Sequence, residues 1–471
     1  MSLNRFRLAR WLPLSVVEVL KSLMATGHQA YLVGGCVRDL IGGRRPLDWD
    51  VATAARPEQV ALIFPHTLPT GTRYGTTTVV HGGRAIEVTT FRQEQGHSDL
   101  RHPDQVTFIS DLKADLARRD FTVNAMALDL DGRLFDPFGG QGDLRNRTIR
   151  AVGSAGTRFE EDALRLVRGV RLAAELDFDL EAETFRAICC HAGLVELVAR
   201  ERIGPELERI LLSAHPARGL MLLEQTGLLA LILPEIQEGG DVVQGEHRAD
   251  TVWEHTVRTV AGVLKDPVLR LAALLHDVGK PRTLTVGEDG RRRFPGHEIL
   301  GAEMSETILL RLKFRRATVK RVLHLIRHHL ELQQLHDRPA PGQARQPALS
   351  DAAVRRLLAR VGPEAIRDLA ELDRADRAAS RIGRGFRPDR TVRLLARVRR
   401  IMAGKPALRP ADLAIDGDDV QRLTGWPPGP AIGRVLHQLL DDAIEDPGLN
   451  HRIWLERRVV DLAAQQRAGE G

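Results

Sequence analysis

Tyr31-Leu-Val-Gly-Gly-Cys-Val-Arg-Asp-Leu-Ile-Gly-Gly-Arg-Arg-Pro-Leu-Asp-Trp-Asp-Val-Ala-Thr53 is the stretch from which the rest of the chain can be read. A short apolar strand runs into Gly34-Gly35, and a helical segment follows with Arg38 and Asp39. Past a Gly/Pro turn, a second strand carries Asp48 and Asp50. Alternate strand residues face opposite sides, so Asp48 and Asp50 share one face and Trp49 takes the other. Two carboxylates held side by side repel each other, and a divalent cation removes that cost. The nearby Gly-Gly turn offers backbone N–H groups to a phosphate that the same cation can bridge. The competing reading is two aspartates on a solvated strand edge beside an ordinary turn.

At 471 residues the chain is too long for one core and predicts three or four domains. Apolar residues make up 43% and aromatic ones only 4%, which fits a largely helical protein with no membrane span. The 68 basic residues against 62 acidic ones permit a polyanionic partner without demanding one. Cys36, Cys189 and Cys190 form no Cys-x-x-Cys pair, so a reducing cytoplasm is expected, and the N-terminus lacks the apolar core of a signal peptide.

A helix is expected over 11–27. Short strands then alternate with turns to about Arg150, with hairpin signals at His81-Gly-Gly and Asp131-Gly132. From Thr157 the period turns helical, and everything beyond it reads as all-helical, with helices over 181–193, 201–212, 216–226, 251–264, 267–276, 297–311 and 316–329. Breaks fall at 238–250, at His336-Asp-Arg-Pro-Ala-Pro-Gly-Gln-Ala-Arg-Gln-Pro and at Gly383–Pro388.

Further polar groups belong with the two aspartates. Glu87, inside the strand Ile86-Glu-Val-Thr-Thr-Phe91, is either a third carboxylate at the metal site or an edge-strand charge. Arg118-Arg119-Asp120-Phe-Thr-Val-Asn124 groups two guanidiniums, a carboxylate and an amide. Arginines neutralise triphosphate oxygens, and Asn124 suits a ribose hydroxyl. In Glu161-Asp162-Ala-Leu-Arg165-Leu-Val-Arg168, Asp162 and Arg165 are three apart and are expected on one helix face. There they form either a surface ion pair or a base reader. A carboxylate accepting from an exocyclic amino group beside an arginine donating to the adjacent ring acceptor would take ATP and CTP and reject UTP and GTP.

Taken in order, Gly34-Gly-Cys-Val-Arg-Asp39, Asp48-Trp-Asp50, Leu68-Pro-Thr-Gly-Thr-Arg-Tyr-Gly-Thr76, Glu87-Val-Thr-Thr-Phe-Arg92, Arg101-His-Pro-Asp104, Arg118-Arg-Asp-Phe-Thr-Val-Asn-Ala-Met126, Asp136-Pro-Phe-Gly-Gly140 and Glu161-Asp-Ala-Leu-Arg165 resemble the motifs of bacterial class II tRNA nucleotidyltransferases, the CCA-adding enzymes. The resemblance covers about 30–190. It implies an α+β fold, with a polymerase-beta-like nucleotidyltransferase head followed by an all-helical neck, HD domain and tail. The head would add CMP, CMP and AMP from CTP and ATP to the tRNA 3′ end without a template. By the same resemblance Asp48 and Asp50 hold two Mg²⁺ ions and, with Asp120, make up the catalytic acids. Gly34, Gly35, Arg38, Arg119 and Asn124 surround the nucleotide, and Asp162, Arg165 and Arg168 lie at the base. Residues 92–104 match a flexible loop used for the switch to ATP, whose full length favours complete CCA addition over CC-only addition. Poly(A) polymerases share much of this head, but their pattern around the second strand is richer in arginine than Pro69-Thr-Gly-Thr-Arg-Tyr-Gly75.

The second half holds His255, Leu274-Leu-His276-Asp277-Val-Gly-Lys280, His297, His328-His329 and Asp376. Imidazoles and carboxylates on several helices suit Mn²⁺, Ni²⁺, Fe²⁺ or Mg²⁺ better than a thiolate zinc site. The series resembles the HD phosphohydrolase superfamily. That implies His255, His276, Asp277 and Asp376 as metal ligands, with His297 and His328 at a second metal or phosphate subsite. The implied activity is hydrolysis of a phosphoester or 2′,3′-cyclic phosphate, with Lys280 near the phosphate.

Arg381–Arg400 holds eight arginines in twenty residues, either a solvated helix face or a track for an acceptor stem. The expected division is a head at 1–150, a neck at 151–237, an HD domain at 238–380 and a basic tail at 381–471. The expected partners are the tRNA 3′ end and acceptor stem, ATP and CTP, with no DNA and no membrane, in a monomer or homodimer. The rival readings are poly(A) polymerase, a CC- or A-only enzyme, an HD phosphohydrolase, and a non-catalytic RNA-binding protein that would leave both constellations unexplained.

Overall fold

The structure is a computed structural model that describes residues 11–96, 100, 103–244, 250–337, 350–380 and 389–469. The chain divides into two compact units, Met1–Gln237 with Arg311–Phe314, and Glu238–Leu310 with Arg315–Gly471. No helix among the described residues is long and apolar enough to cross a membrane.

The first unit is built on a sheet of seven strands, β1 (Ala30–Val33), β2 (Asp50–Thr53), β3 (Thr67–Gly71), β4 (Thr76–His81), β5 (Arg84–Thr90), β8 (Ala127–Leu128) and β9 (Leu134–Phe135). They lie in the order β3-β4-β5-β2-β1-β8-β9. Only the β2–β5 pair in this sheet is parallel. A separate pair, β6 (Arg92–Gln95) and β7 (Gln105–Phe108), forms the stem of the 92–104 segment. Residues 97–99, 101 and 102 of that segment, with part of the Arg101-His-Pro-Asp104 motif, lie outside the described residues.

Strand parity decides what the sheet presents on each face. Leu32, Trp49, Val51, Ile86 and Val88 point into one core, closed by helix α1 (Leu14–Ala25) through Val16, Val19, Leu20 and Leu23, and by Val37 and Leu40 of helix α2 (Gly35–Ile41). The opposite parity carries Val33, Ala52 and Ala127 into a smaller cluster with Phe91 and Leu116. Asp50, Glu87 and Thr89 belong to this second face.

Beyond the sheet the chain is helical, with two small exceptions to the all-helical expectation. β10 (Thr148–Ile149) pairs in parallel with β11 (Asp179–Leu180), and β12 (Thr285–Val286) pairs antiparallel with β13 (Arg292–Arg293). Both are two residues long, too short to leave a period-2 trace in the sequence. The helical stretch expected from Thr157 is also interrupted: α3 (Ala155–Glu161) stops, and α4 (Leu164–Leu176) starts again. Asp162 stands between them with extended dihedrals, and its Oδ1 accepts from the Leu164 N–H at 3.1 Å, the local competition that lets an aspartate break a helix.

In the second unit, helices α5 (Val252–Gly262), α7 (His297–Arg311) and α9 (Ile366–Ser380) carry His255, His297 and Asp376, while His276 and Asp277 directly follow the end of α6 (Pro267–Leu275) and His329 that of α8 (Arg316–His328). Thr251 starts α5 with a reciprocal capping box to Glu254, and Asp266 caps α6 through the N–H groups of Val268 and Leu269. A separate small core of Ile415, Val420, Val435, Leu439, Leu455 and Val459 holds the C-terminal helices. The stretches 245–249, 338–349 and 381–388, which overlap the three expected breaks, lie outside the described residues.

Candidate active site and metal centre

In the first unit a cavity of about 290 Å³ opens on the second face of the sheet, lined by Val33, Asp50, Thr76, Glu87, Thr89, Arg92, Arg118, Arg119, Asp120, Asp162, Arg165 and Arg168. A second cavity of about 380 Å³ shares Thr76, Glu87, Arg92, Arg118, Asp162 and Arg165 with it and adds Tyr74, Glu94 and Arg202. Asp50 and Glu87 are in register on adjacent parallel strands, so their side chains leave the sheet together. β5 lies between β4 and β2, which removes the edge-strand reading of Glu87. β2 begins at Asp50, so Asp48 sits just outside the strand. It is exposed while Trp49 is buried, which keeps the expected alternation.

Burial pushes the Asp50 carboxyl up to about 6, Arg119 opposes the rise, and the negative charges of Glu87 and Asp48 add to it. Gly34 fits between the charged groups. Its φ is +77°, and a Cβ there would lie 3.1 Å from Arg119 Nη1 and 3.2 Å from Asp50 Oδ2. The positive φ favours glycine here, and a Cβ would in addition have to push both charged groups aside. Asp50 and Glu87 face a wall of guanidiniums across the cavity, while Asp48 lines neither cavity and reaches Asp50 through its charge. Carboxylate oxygens of this kind are hard donors, suited to Mg²⁺ rather than to a softer ion.

The arginine wall is held by its own acids. Arg168 donates to Asp120 Oδ2 from Nε at 2.9 Å and from Nη2 at 2.6 Å, while Asp120 Oδ1 accepts from the Phe121 N–H at 2.8 Å and from Asn124 Nδ2 at 3.3 Å. Burial opposes its charge, but Arg168 and Arg165 overcome it and hold the carboxyl well below the usual carboxylate range. Both oxygens of Asp120 are thus engaged by protein donors, so that it lines the cavity as an anchor for Arg168. Arg38 and Asn124 line neither cavity. Arg38 Nη1 donates to Asn124 Oδ1 at 2.8 Å and Nε to Asp39 at 3.0 Å, tying α2 to Asp120 from behind. Gly35 sits against the Arg38 guanidinium.

The expected Asp162–Arg165 pair does not form. Asp162 Oδ2 accepts from Arg202 Nη2 at 2.9 Å, while Arg165 donates to Glu161 Oε2 at 2.7 Å and to the carbonyl of Arg118 at 2.9 Å. The helix break at Asp162 places the two side chains on different elements. Both still face the cavity. Arg118 lines both cavities, as its place in the arginine motif suggests, and Thr76, Thr89, Arg92 and Arg202 also line them, beyond the residues that the sequence pattern marks as the site. The parity of Thr89 with Glu87 is the available signal, whereas Arg202 arrives by a tertiary contact that no spacing reveals.

In the second unit six side chains converge. His255 Nε2 lies 3.0 Å from Asp376 Oδ1, 3.3 Å from His276 Nε2 and 3.6 Å from Asp277 Oδ2. His276 Nε2 is 3.2 Å from Asp277 Oδ2. On the other side, His297 Nε2 is 3.5 Å from Asp277 Oδ1 and 3.2 Å from His329 Nε2. Two donor groups result, His255/His276/Asp277 and Asp277/His297/His329, each with all ligand atoms within 4.8 Å and every residue buried. Asp277 gives one oxygen to each.

The ring tautomers suit metal binding. Nδ1 of His276, His297 and His329 lies 2.8, 2.8 and 2.6 Å from the carbonyls of Ala273, Phe294 and Ile326. A proton on Nδ1 leaves the Nε2 lone pair of His297 and His329 facing the cluster, whereas at His276 burial is outweighed by Asp277 and Asp376, which raise its pKa, so that an ion would displace the proton on its Nε2. Burial and the neighbouring His276 push His329 down to about 4, so it is neutral at pH 7. Burial also works against the charge of Asp277, but His276 and Lys280, whose Nζ is 2.7 Å from Oδ2, hold it ionised. Imidazole nitrogens and two carboxylates fit a divalent transition ion or Mg²⁺.

His328 is a correction, because His329 occupies the place expected for it. The ring of His328 packs on His324, with centroids 4.7 Å apart, and its Nδ1 is 3.5 Å from Glu331. Val322 and Ile326 on the buried face of α8 and His329 directly after its end recur at four and three residues, a pattern that would have picked out His329.

Comparison with known proteins places this geometry. Residues 30–150 match the poly A polymerase head domain, 177–239 the probable RNA and SrmB-binding site of polymerase A, and 252–378 the HD domain. A polymerase-type head joined to an HD domain is therefore the class that fold and site define. The CCA-adding enzyme of Geobacillus thermodenitrificans (strain NG80-2) is 46% identical over 223 residues, 47% of this chain and 55% of that protein. That of Geobacillus stearothermophilus is 48% identical over 214 residues, 45% of this chain and 53% of that protein. The match thus spans about half the length of these curated relatives. The crystal structure of the Bacillus stearothermophilus CCA-adding enzyme in complex with CTP superposes with a TM-score of 0.71 at 30% identity, covering 97% of this chain and 98% of that one. The Thermotoga maritima CCA-adding enzyme complexed with tRNA shares the fold at 21% identity, with a TM-score of 0.59. The chain belongs to the CCA-adding enzyme family.

Proposed function

We propose that the first unit adds CMP, CMP and AMP from CTP and ATP to the 3′ end of tRNA without a nucleic-acid template. The observation that carries this reading is the in-register Asp50–Glu87 pair facing Arg118, Arg119, Arg165 and Arg168 across one cavity. Family membership and the CTP held by a 30%-identical relative support it. Asp48 and Asp50 are the proposed holders of Mg²⁺, which when bound supplies charge for the triphosphate and acidifies the attacking 3′-hydroxyl. Arg119 and the Gly34 turn position the triphosphate, and Asp120 keeps Arg168 aimed at the cavity. Asp162 and Arg165 read the amino edge of cytosine or adenine. To do so Arg165 exchanges Glu161 for the base, while Asp162 keeps lone pairs beyond those used by Arg202 and Leu164.

The HD half is proposed to be a metal-dependent phosphohydrolase acting on phosphate or 2′,3′-cyclic phosphate at an RNA end. The ions held by the two groups, His255, His276, Asp277 and Asp376 on one side and Asp277, His297 and His329 on the other, would be Mn²⁺, Ni²⁺, Fe²⁺ or Mg²⁺. The reading includes the four-part division at 150, 237 and 380, tRNA acceptor-stem binding with help from the basic tail, a cytoplasmic setting that fits three free cysteines, and a monomer or homodimer.

Incubation of a tRNA lacking its 3′ end with CTP, ATP or both tests the head. Complete CCA addition is expected, against adenosine runs for a poly(A) polymerase and partial products for CC- or A-only enzymes. The Asp48→Ala/Asp50→Ala variant is expected to incorporate neither nucleotide, and full-rate incorporation by it would end the two-metal account.

A further inference from the structure

The HD half contains a strand pair that its metal cluster leaves unexplained. β12 and β13 lie in sequence between His276-Asp277 and His297. The stretch 280–293 carries Lys280, Arg282, Arg291, Arg292 and Arg293 against only Glu288 and Asp289. Thr285 pairs with Arg293 and Val286 with Arg292, so the two arginines point to opposite faces of an exposed ribbon. Asp289 serves both Arg293, at 2.6 Å, and Arg291, at 3.8 Å. Arg292 donates to the main-chain carbonyl of Val243 at 3.3 Å.

These interactions lead from the ribbon to the metal cluster. Val243 precedes Gln244, whose Oε1 accepts from Lys280 Nζ at 2.7 Å, and the same ammonium lies 2.7 Å from Asp277 Oδ2. Phe294, next after β13, has its ring centroid 5.5 Å from that nitrogen. The base of the ribbon is therefore anchored on both sides of Lys280. A substrate with one phosphate needs only the ammonium beside the cluster. Guanidiniums carried on both faces of an exposed ribbon rooted beside it match a ligand with further phosphodiesters upstream, because each guanidinium can fork onto a phosphodiester.

We infer that the β12–β13 ribbon clamps the phosphodiester backbone of an RNA strand whose 3′-terminal phosphate is delivered to the HD cluster, so that this site selects polynucleotide ends over mononucleotides. The inference rests on the hydrolase reading of that cluster. In the reaction water supplies the new oxygen on phosphorus, the phosphorus–O3′ bond breaks, and the departing 3′-oxygen takes a proton to leave an RNA 3′-hydroxyl and inorganic phosphate.

The test uses the full chain, loaded with Ni²⁺ or Mn²⁺, on a 3′-phosphorylated oligonucleotide and on a nucleoside 3′-monophosphate. Arg291→Gln/Arg292→Gln/Arg293→Gln is expected to raise KM for the oligonucleotide at least tenfold, by order of magnitude, and to leave the mononucleotide kinetics unchanged. It should also lower the slope of log KM against log salt by about 0.7 for each phosphate that the ribbon no longer neutralises. The matching triple lysine variant should keep most of the slope. In a second measurement without metal, in EDTA, amide exchange over 284–294 should slow when the oligonucleotide is added to the wild type and not when it is added to the glutamine variant. Equal losses on both substrates, an unchanged oligonucleotide KM or unprotected ribbon amides would each overturn the clamp. If the wild type hydrolyses neither substrate while its ribbon amides are protected, the hydrolase reading falls and the RNA-binding role of the ribbon stands.

Discussion

Asp120→Asn isolates what the buried anchor of the arginine wall contributes. Asp120 is 8% exposed and accepts four hydrogen bonds, two of them from Arg168. Removing one member of a buried, hydrogen-bonded ion pair costs about 3–5 kcal/mol. The Arg168 side chain is 36% exposed, so water recovers part of its charge, and asparagine keeps one acceptor. A loss of about 2–3 kcal/mol from the first unit at pH 7 is the expected outcome. The pH dependence fixes the sign. The folded carboxyl lies below its unfolded value, near 3.9. Its stabilisation is therefore fully present above about pH 5, and it is lost as pH falls below the unfolded value toward the folded one. The gap between wild type and variant should be widest at pH 6–7 and should narrow below about pH 4. Urea titrations report it, with the transition of the sheet read from exchange protection of the β1 and β8 amides. A gap under about 0.5 kcal/mol at pH 7, less than one ordinary net hydrogen bond, or a gap that widens on acidification, would refute the reasoning.

Gly34→Ala meets both a left-handed φ and the Arg119–Asp50 approach, so the unit should lose about 1–3 kcal/mol of stability in urea. Nucleotide incorporation should fall on the order of 100-fold as those two groups shift, and wild-type rates would show that the turn has no part in positioning. In the second unit, His329→Ala should lower bound metal from about two ions per chain to about one after dialysis, while His328→Ala should leave it unchanged. Mass spectrometry of metal content decides between them, and the reverse pattern would restore His328 to the site.

Much of this was legible because it depends on local period. Trp49 and Val51 turn inward and Asp50 outward by the pleat alone, and the double glycine announced the strand-to-helix turn. His255, His276 and His297 of the HD cluster stood in or directly after helices that the apolar runs marked out, and His329 rather than His328 was readable from the repeat of Val322 and Ile326. Partnership was not legible. Asp162 and Arg165 have the spacing of an ion pair, yet a two-atom competition between the Asp162 side chain and the helix backbone parts them. Asp120 looks like any acid in a charged motif. Its saturation by Arg168, 48 residues away, is a property of the folded core that no spacing encodes.

Because Asp277 turns one oxygen to each donor group, the two halves of the HD centre are thermodynamically linked rather than independent. An ion seated on the His255 side pins that carboxylate and withdraws its charge, and the affinity of the His297 side must change in consequence. Reciprocity makes the factor the same in both directions, so loading curves for this protein should not be the sum of two simple hyperbolas.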